Sequence, residues 1–190
     1  MFETGTYKVT SGPASEPLTA SDVKAWLKVS GNDEDAIITL LISAARESAE
    51  KYLRMALITQ TIVEKFSRFE DYGLRLSVSP LISVTQVQYI QPGGTLVTLS
   101  TNIYDILDEQ KPPLVYRKYG QSFPTVEPSP EAVQVTYTGG FGATGASTPT
   151  PIKLAMLLMI ADWFDNRTDA IRTMPTASRI LLDQFRVNYF

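Results

Sequence analysis

The chain has 190 residues with a hydrophobic share of 44% and a charged share of 19%, a composition that can enclose a core and argues against disorder throughout. Seventeen Lys and Arg against twenty Asp and Glu leave a net charge of −3, which speaks against a dedicated DNA-binding domain. Cysteine and histidine are both absent, so disulfides, thiolate nucleophiles, Cys- or His-ligated metals and Ser-His-Asp triads are excluded. Any catalysis would have to rest on carboxylates, lysine or tyrosine, which makes an enzyme the minority reading.

The N-terminal residues Met1-Phe2-Glu3-Thr4-Gly5-Thr6 show no basic then apolar pattern, so no secretory signal is expected. Residues 1–15 read as an N-terminal extension. Helical patterning begins with Thr19-Ala20-Ser21-Asp22, which fits a capping box ahead of a short helix through Trp26 and Leu27. Gly31-Asn32 breaks that helix, and Asn32 with Asp33, Glu34 and Asp35 is expected to cap a second one. There Ile37, Leu40, Leu41, Ala44, Ala45, Ser48 and Tyr52 recur at 3–4 spacing and predict the buried stripe. Arg46, Glu47, Glu50, Lys51 and Arg54 then fall mainly on the opposite side. Small residues between 43 and 49 would allow another helix to approach closely. The acidic trio lacks the ligand order of a calcium loop.

From about residue 57 the period changes from helical to alternating. Residues 58–69, 74–78, 84–90, 95–99, 104–107, 114–117 and 132–137 read as strands. Pro92-Gly93-Gly94 marks a hairpin, and Lys111-Pro112-Pro113 a second turn. Short strands with such turns imply an antiparallel sheet or a small sandwich. Helix returns over residues 152–166, apolar nearly all round and therefore expected to be covered on most sides, with Pro149 and Pro151 at its entry. The longest apolar run covers only ~20 Å of helix at ~1.5 Å per residue, short of a ~30 Å hydrocarbon core. A last short helix should run from Thr176 to about Phe185. The reading is an α+β protein: residues 16–56 and 149–190 form one helical bundle, and residues 57–148 an inserted antiparallel β domain.

Three features invite a chemical reading. Gly140-Phe141-Gly142-Ala143-Thr144-Gly145 is a literal G-x-G-x-x-G, but Ser147-Thr148-Pro149-Thr150-Pro151 delays the helix whose N–H groups would meet a pyrophosphate. A flexible glycine exit from the sheet is the simpler reading. Asp162 and Asp165 share one side of a helix and could share a proton or a metal, yet a solvated or Arg-paired edge explains them as well. The C-terminal stretch 180–190 is apolar and aromatic to its last residue, so it either folds back on its own core or anchors to a partner.

The order of motifs resembles the head–tail connector (adaptor) proteins of long-tailed bacteriophages and related prophage elements, in their longer branch with a β insertion. The matching strings run along most of the chain. They include Glu16-Pro17-Leu18-Thr19, Asn32-Asp33-Glu34-Asp35-Ala36-Ile37-Ile38, Ala45-Arg46-Glu47-Ser48-Ala49-Glu50-Lys51-Tyr52 and Ala56-Leu57-Ile58-Thr59-Gln60-Thr61. Pro80-Leu81-Ile82-Ser83-Val84-Thr85-Gln86-Val87 and Val133-Gln134-Val135-Thr136-Tyr137-Thr138-Gly139-Gly140 continue the series. Trp163-Phe164-Asp165-Asn166-Arg167 and Ile180-Leu181-Leu182-Asp183-Gln184-Phe185-Arg186 close it. Leu53-Arg54-Met55 departs from the family, which often has a glycine-containing turn there; this bears on how the second helix ends.

The resemblance implies a non-enzymatic ring of copies, commonly twelve, located in the virion at the head–tail junction after synthesis in the host cytoplasm. The ring would dock under the portal protein, extend the DNA channel and offer a platform to a neck or tail-completion protein. Mild acidity suits a channel that passes DNA without gripping it. No cofactor, metal, catalytic residue or membrane partner is expected. The resemblance also implies that the C-terminal segment reaches the portal, with Leu181, Phe185, Val187, Tyr189 and Phe190 as anchors. A carbohydrate- or peptide-binding β module and a carboxylate-dependent hydrolase are the alternatives.

Overall fold

The computed structural model describes residues 5–166 and 174–186. The chain divides into two compact units, crossing between them after Gly12, after Ile58 and after Gly140. One unit is all β. It comprises β1 (Thr6–Ser11), β2 (Gln60–Phe66), β3 (Leu74–Arg75), β4 (Leu81–Ile90), β5 (Leu96–Thr98), β6 (Tyr104–Leu107), β7 (Leu114–Arg117) and β8 (Val133–Gly139). The other consists of Pro13–Ile58 and Phe141–Arg186 and carries α1 (Ala20–Leu27), α2 (Asp35–Leu53), α3 (Thr150–Asp165) and α4 (Thr176–Asp183). The α+β class expected from the periodicity holds.

The β unit contains a five-stranded antiparallel sheet, ordered β1-β2-β8-β4-β5, and a three-stranded sheet, ordered β3-β7-β6. In β2 and β8 residues alternate strictly between buried and half-buried, so Ile62, Phe66, Val133, Val135 and Tyr137 point to one core. The hairpin around Pro92-Gly93-Gly94 forms, pairing Ile90 with Leu96 and Gln88 with Thr98. The pair around Pro112-Pro113 forms too, with Leu107 opposite Leu114. The strand read at 74–78 is only two residues long. Leu76 then leaves the ladder, donating its N–H to the Pro113 carbonyl. Strand β1 lies within the stretch read as an extension.

In the helical unit the capping box is present, with Thr19 and Asp22 exchanging side-chain-to-backbone bonds of 2.9 and 3.1 Å. These bonds hold the Asp22 carboxyl below its usual pKa. Helix α2 starts later than its acidic trio suggests. Glu34 occupies the N-cap without a side-chain cap bond, and Asp35 instead pairs with Lys24. Lys24 also donates to the Gly31 carbonyl (2.8 Å) and to Asn32 Oδ1 (3.0 Å), tying the α1–α2 loop to α1.

The buried face of α2 is rotated by one residue from the predicted stripe. It runs Ile38, Ile42, Ala45, Arg46, Ala49 and Leu53, while Leu40 is 63% exposed. Residues 37, 41, 44, 48 and 52 lie about 100° away around the helix and are only half-buried. Both stripes satisfy the 3–4 spacing, and the sequence alone does not rank them. Helix α3 presents Ile152, Ala155, Met156, Met159 and Ile160 to the core, but Leu154, Leu157, Leu158, Trp163 and Phe164 are half-buried. The expected cover on most sides is thus complete on one side only. Arg54 ends α2 in a left-handed conformation, φ 56°, where a glycine would be unstrained.

Candidate assembly surfaces

Two buried polar clusters fix the frame on which the surfaces stand. In the helical unit, Arg46 extends from α2 to Glu16 (Nε to Oε2, 2.9 Å) and to Glu50 (Nη1 to Oε2, 2.9 Å). Glu50 in turn accepts the Leu57 N–H at 2.9 Å. Burial works against the Arg46 charge, but Glu50 and Glu16 outweigh it and its pKa rises. Burial also raises the Glu50 pKa despite those bonds. Arg46, expected on the solvent side, is therefore buried because an acid thirty positions earlier comes to meet it.

The same region braces the three crossings into and out of this unit that lie among the described residues. Ser15 Oγ donates to the Ala143 carbonyl (2.9 Å), and Thr148 Oγ1 to the Leu57 carbonyl (3.4 Å). Gly145 fits so closely on the 13–18 segment that a Cβ there would sit 2.5 Å from the Pro17 carbonyl oxygen. The glycine string is thus a packed joint, not the flexible exit expected. It does not open a long helix: a short 3₁₀ turn, Gly145–Ser147, follows it before α3 begins.

In the β unit, Glu64 of β2 is fully buried with no cation partner among the bonds that satisfy it. Its carboxylate accepts the Ser77 N–H (2.8 Å), the Ser77 hydroxyl and the Tyr137 hydroxyl (2.9 Å). Tyr137 Oη meanwhile accepts the Val78 N–H at 3.3 Å. Burial outweighs these bonds and pushes the Glu64 pKa up. The trio pins the segment after β3 to the five-stranded sheet. Sequence spacing of 13 and 73 residues conceals it.

The C-terminal helix α4 is fastened on its inner side. Leu182 is fully buried, Ser178 Oγ donates to the Ala155 carbonyl (3.0 Å), and Tyr52 Oη donates to Asp183 Oδ1 (2.5 Å). That bond raises the Tyr52 pKa. The Arg186 guanidinium lies 5.1 Å from the centroid of the Tyr52 ring. Of the expected anchors, Leu181 and Phe185 are half-buried, while Ile180 beside them is 61% exposed. Val187, Tyr189 and Phe190 lie outside the described residues. Asp162 accepts from the Asn166 amide (3.2 Å) and Asp165 is exposed, so the two do not form an isolated acid pair; Arg167 is also outside the described residues.

Among the described residues no group of three or more Asp or Glu could hold a metal, and no helix is long and apolar enough to cross a membrane. A cleft of about 540 Å³ in the β unit is lined by Arg68, Phe69, Asp71, Arg117 and Phe123. Its arginines bond to Glu70 and to the Gln121 carbonyl, and its two phenylalanines stack at 4.5 Å.

No curated protein matches the chain. Its fold is similar to that of a chain in the virion of a native gene transfer agent particle, at 18% identity and a TM-score of 0.79. It is also similar to chains in the neck of an empty gene transfer agent particle computed with C6 symmetry (19%, 0.81) and in the neck of the native particle computed with C12 symmetry (18%, 0.74). In each case the likeness covers 97% of both chains. The model of head completion proteins matches residues 16–181, spanning both units: the chain belongs to the head completion protein family.

Proposed function

We propose that this protein is a structural connector at the head–tail junction of a tailed phage or related particle. Copies form a ring beneath the portal, extend the DNA channel and present a platform for the next neck or tail protein. The family match across both units carries this reading, and the fold shared with chains of necks computed with C6 and C12 symmetry supports a cyclic ring. A ring is built from head-to-tail contacts, so each subunit needs two different matching surfaces. The protein acts by packing, with no bond made or broken.

The portal-facing element in this reading is the C-terminal segment, with Leu181, Phe185, Val187, Tyr189 and Phe190 as its apolar anchors. The attachment of α4 and of the turn after it to Tyr52, through Asp183 and Arg186, supports it. Removing residues 187–190 is the test. A folded protein that no longer joins portal-containing, DNA-filled heads fits the proposal. Unchanged attachment rejects the anchor role, and loss of folding assigns the segment to the protein's own core.

A further inference from the structure

The five-stranded sheet has two open edges. At one end β1 is outermost: all six of its residues are exposed, and among the described residues no strand pairs with its outer side. Tyr7 and Val9 pair with Glu64 and Ile62, so they lie on the core face of the sheet, yet they remain 50% and 40% exposed. At the other end β5 pairs only with residues 88–90 of β4, so among the described residues no strand pairs with the outer side of residues 82–86. Ile82 is exposed there, and Val84 pairs with Tyr137 on the core face. Long exposed edges are templates for pairing with another chain, and here only Lys8 and a few bulges interrupt them.

The directions of the two edges match. Strands β1, β2, β8 and β4 alternate in sense, each antiparallel to its neighbour. Placing β1 of one copy beside β4 of the next continues that alternation and gives an antiparallel ladder, the more stable kind. Because the two edges differ, the contact is head-to-tail and generates a ring when the rotation between copies closes. We infer that β1 of each subunit pairs with residues 82–86 of β4 in the adjacent copy, joining the sheets into one continuous β belt. This inference rests on the ring reading above.

The pairing brings Tyr7 and Val9 against the neighbour's Val84 and completes the core face at the seam. Four strands per copy at ~4.8 Å spacing give twelve copies a belt at least about 70 Å across, wider if the strands tilt.

The chain has no cysteine, so introduced thiols are the only ones present. Lys8→Cys combined with Ser83→Cys, and separately with Gln86→Cys, places thiols on the two edges in two registers. Within one copy these edges are ~14 Å apart, beyond disulfide reach of ~7 Å, so a bond reports contact between copies. Oxidation of assembled necks should give a covalent ladder ending at the closed ring for at least one register, with single-cysteine controls giving at most dimers. Rings that assemble normally yet yield no ladder in either register overturn the inference and leave the connector reading intact. If the double variants do not assemble, amide exchange in the unmodified protein decides: residues 6–11 and 82–86 should exchange at least tenfold more slowly in the ring than in the monomer. Unchanged exchange overturns the pairing. Particles whose necks lack this protein overturn the connector reading and the belt together.

Discussion

Replacing Glu64 separates the two contributions of a buried carboxylate. In Glu64→Ala, the Ser77 N–H, the Ser77 hydroxyl and the Tyr137 hydroxyl lose their acceptor in a site closed to solvent. At about 1–3 kcal/mol for each donor left unpaired, partly relieved by rotation of the hydroxyls, the loss should be about 3–5 kcal/mol. Glu64→Gln keeps the shape. Its carbonyl can accept from Ser77 N–H and Tyr137, and its amide can donate to a reoriented Ser77 hydroxyl, so at neutral pH it should be no less stable than the native protein. The pH dependence follows from the raised pKa. The native state holds the Glu64 proton at pH values where the unfolded chain has released it. The stability this confers is therefore full below about pH 4.3 and is lost as pH rises through the native pKa. The glutamine variant lacks that loss and should gain on the native protein as pH rises above about 4.3. Both tryptophans, Trp26 and Trp163, belong to the helical unit, so tryptophan fluorescence does not probe this site directly. Urea melts read by amide exchange over residues 59–140 are the suitable assay. A glutamine variant weakened by more than about 2 kcal/mol at pH 7 would refute the reasoning.

Lys28 ends α1 at φ 57° with its side chain in solvent, so Lys28→Gly should stabilise the helical unit by about 1 kcal/mol in tryptophan-monitored melts. Gly145→Ala should destabilise the same unit by about 2–3 kcal/mol, since backbone at Pro17 would have to move; a silent substitution removes the packed joint. Tyr52→Phe and Asp183→Asn should each cost about 0.5–1 kcal/mol and the pair little more than either alone, as a double-mutant cycle in urea would show. Additive losses would mean that the two side chains act independently.

Local chemistry made much of this fold legible. The capping box at Thr19 and the turn at Pro92-Gly93-Gly94 are decided within four residues, and both form as the sequence implies. Features decided by distant partners were not. The face of α2 depends on which of two adjacent stripes meets α3, and Arg46 is buried because of Glu16. Strand β1 buries nothing, so hydrophobicity is silent about it; the alternation of Tyr7 and Val9 with Thr6, Lys8 and Thr10 was the available signal. Of the C-terminal anchors, only Leu181 and Phe185 fall on described residues: Leu181 is half-buried on α4, whose other side is locked in place, and Phe185 is half-buried in the turn that follows.

The braces at Ser15, Gly145, Leu57 and Arg46 bear on how the molecule carries load. Among the described residues the polypeptide crosses between the units three times, and on the helical side each crossing is bonded close to another. Tension on the β unit therefore arrives at a knot of cross-linked strands, and no single peptide hinge takes it alone. A subunit rooted in this way should resist being peeled open one tether at a time under mechanical pulling.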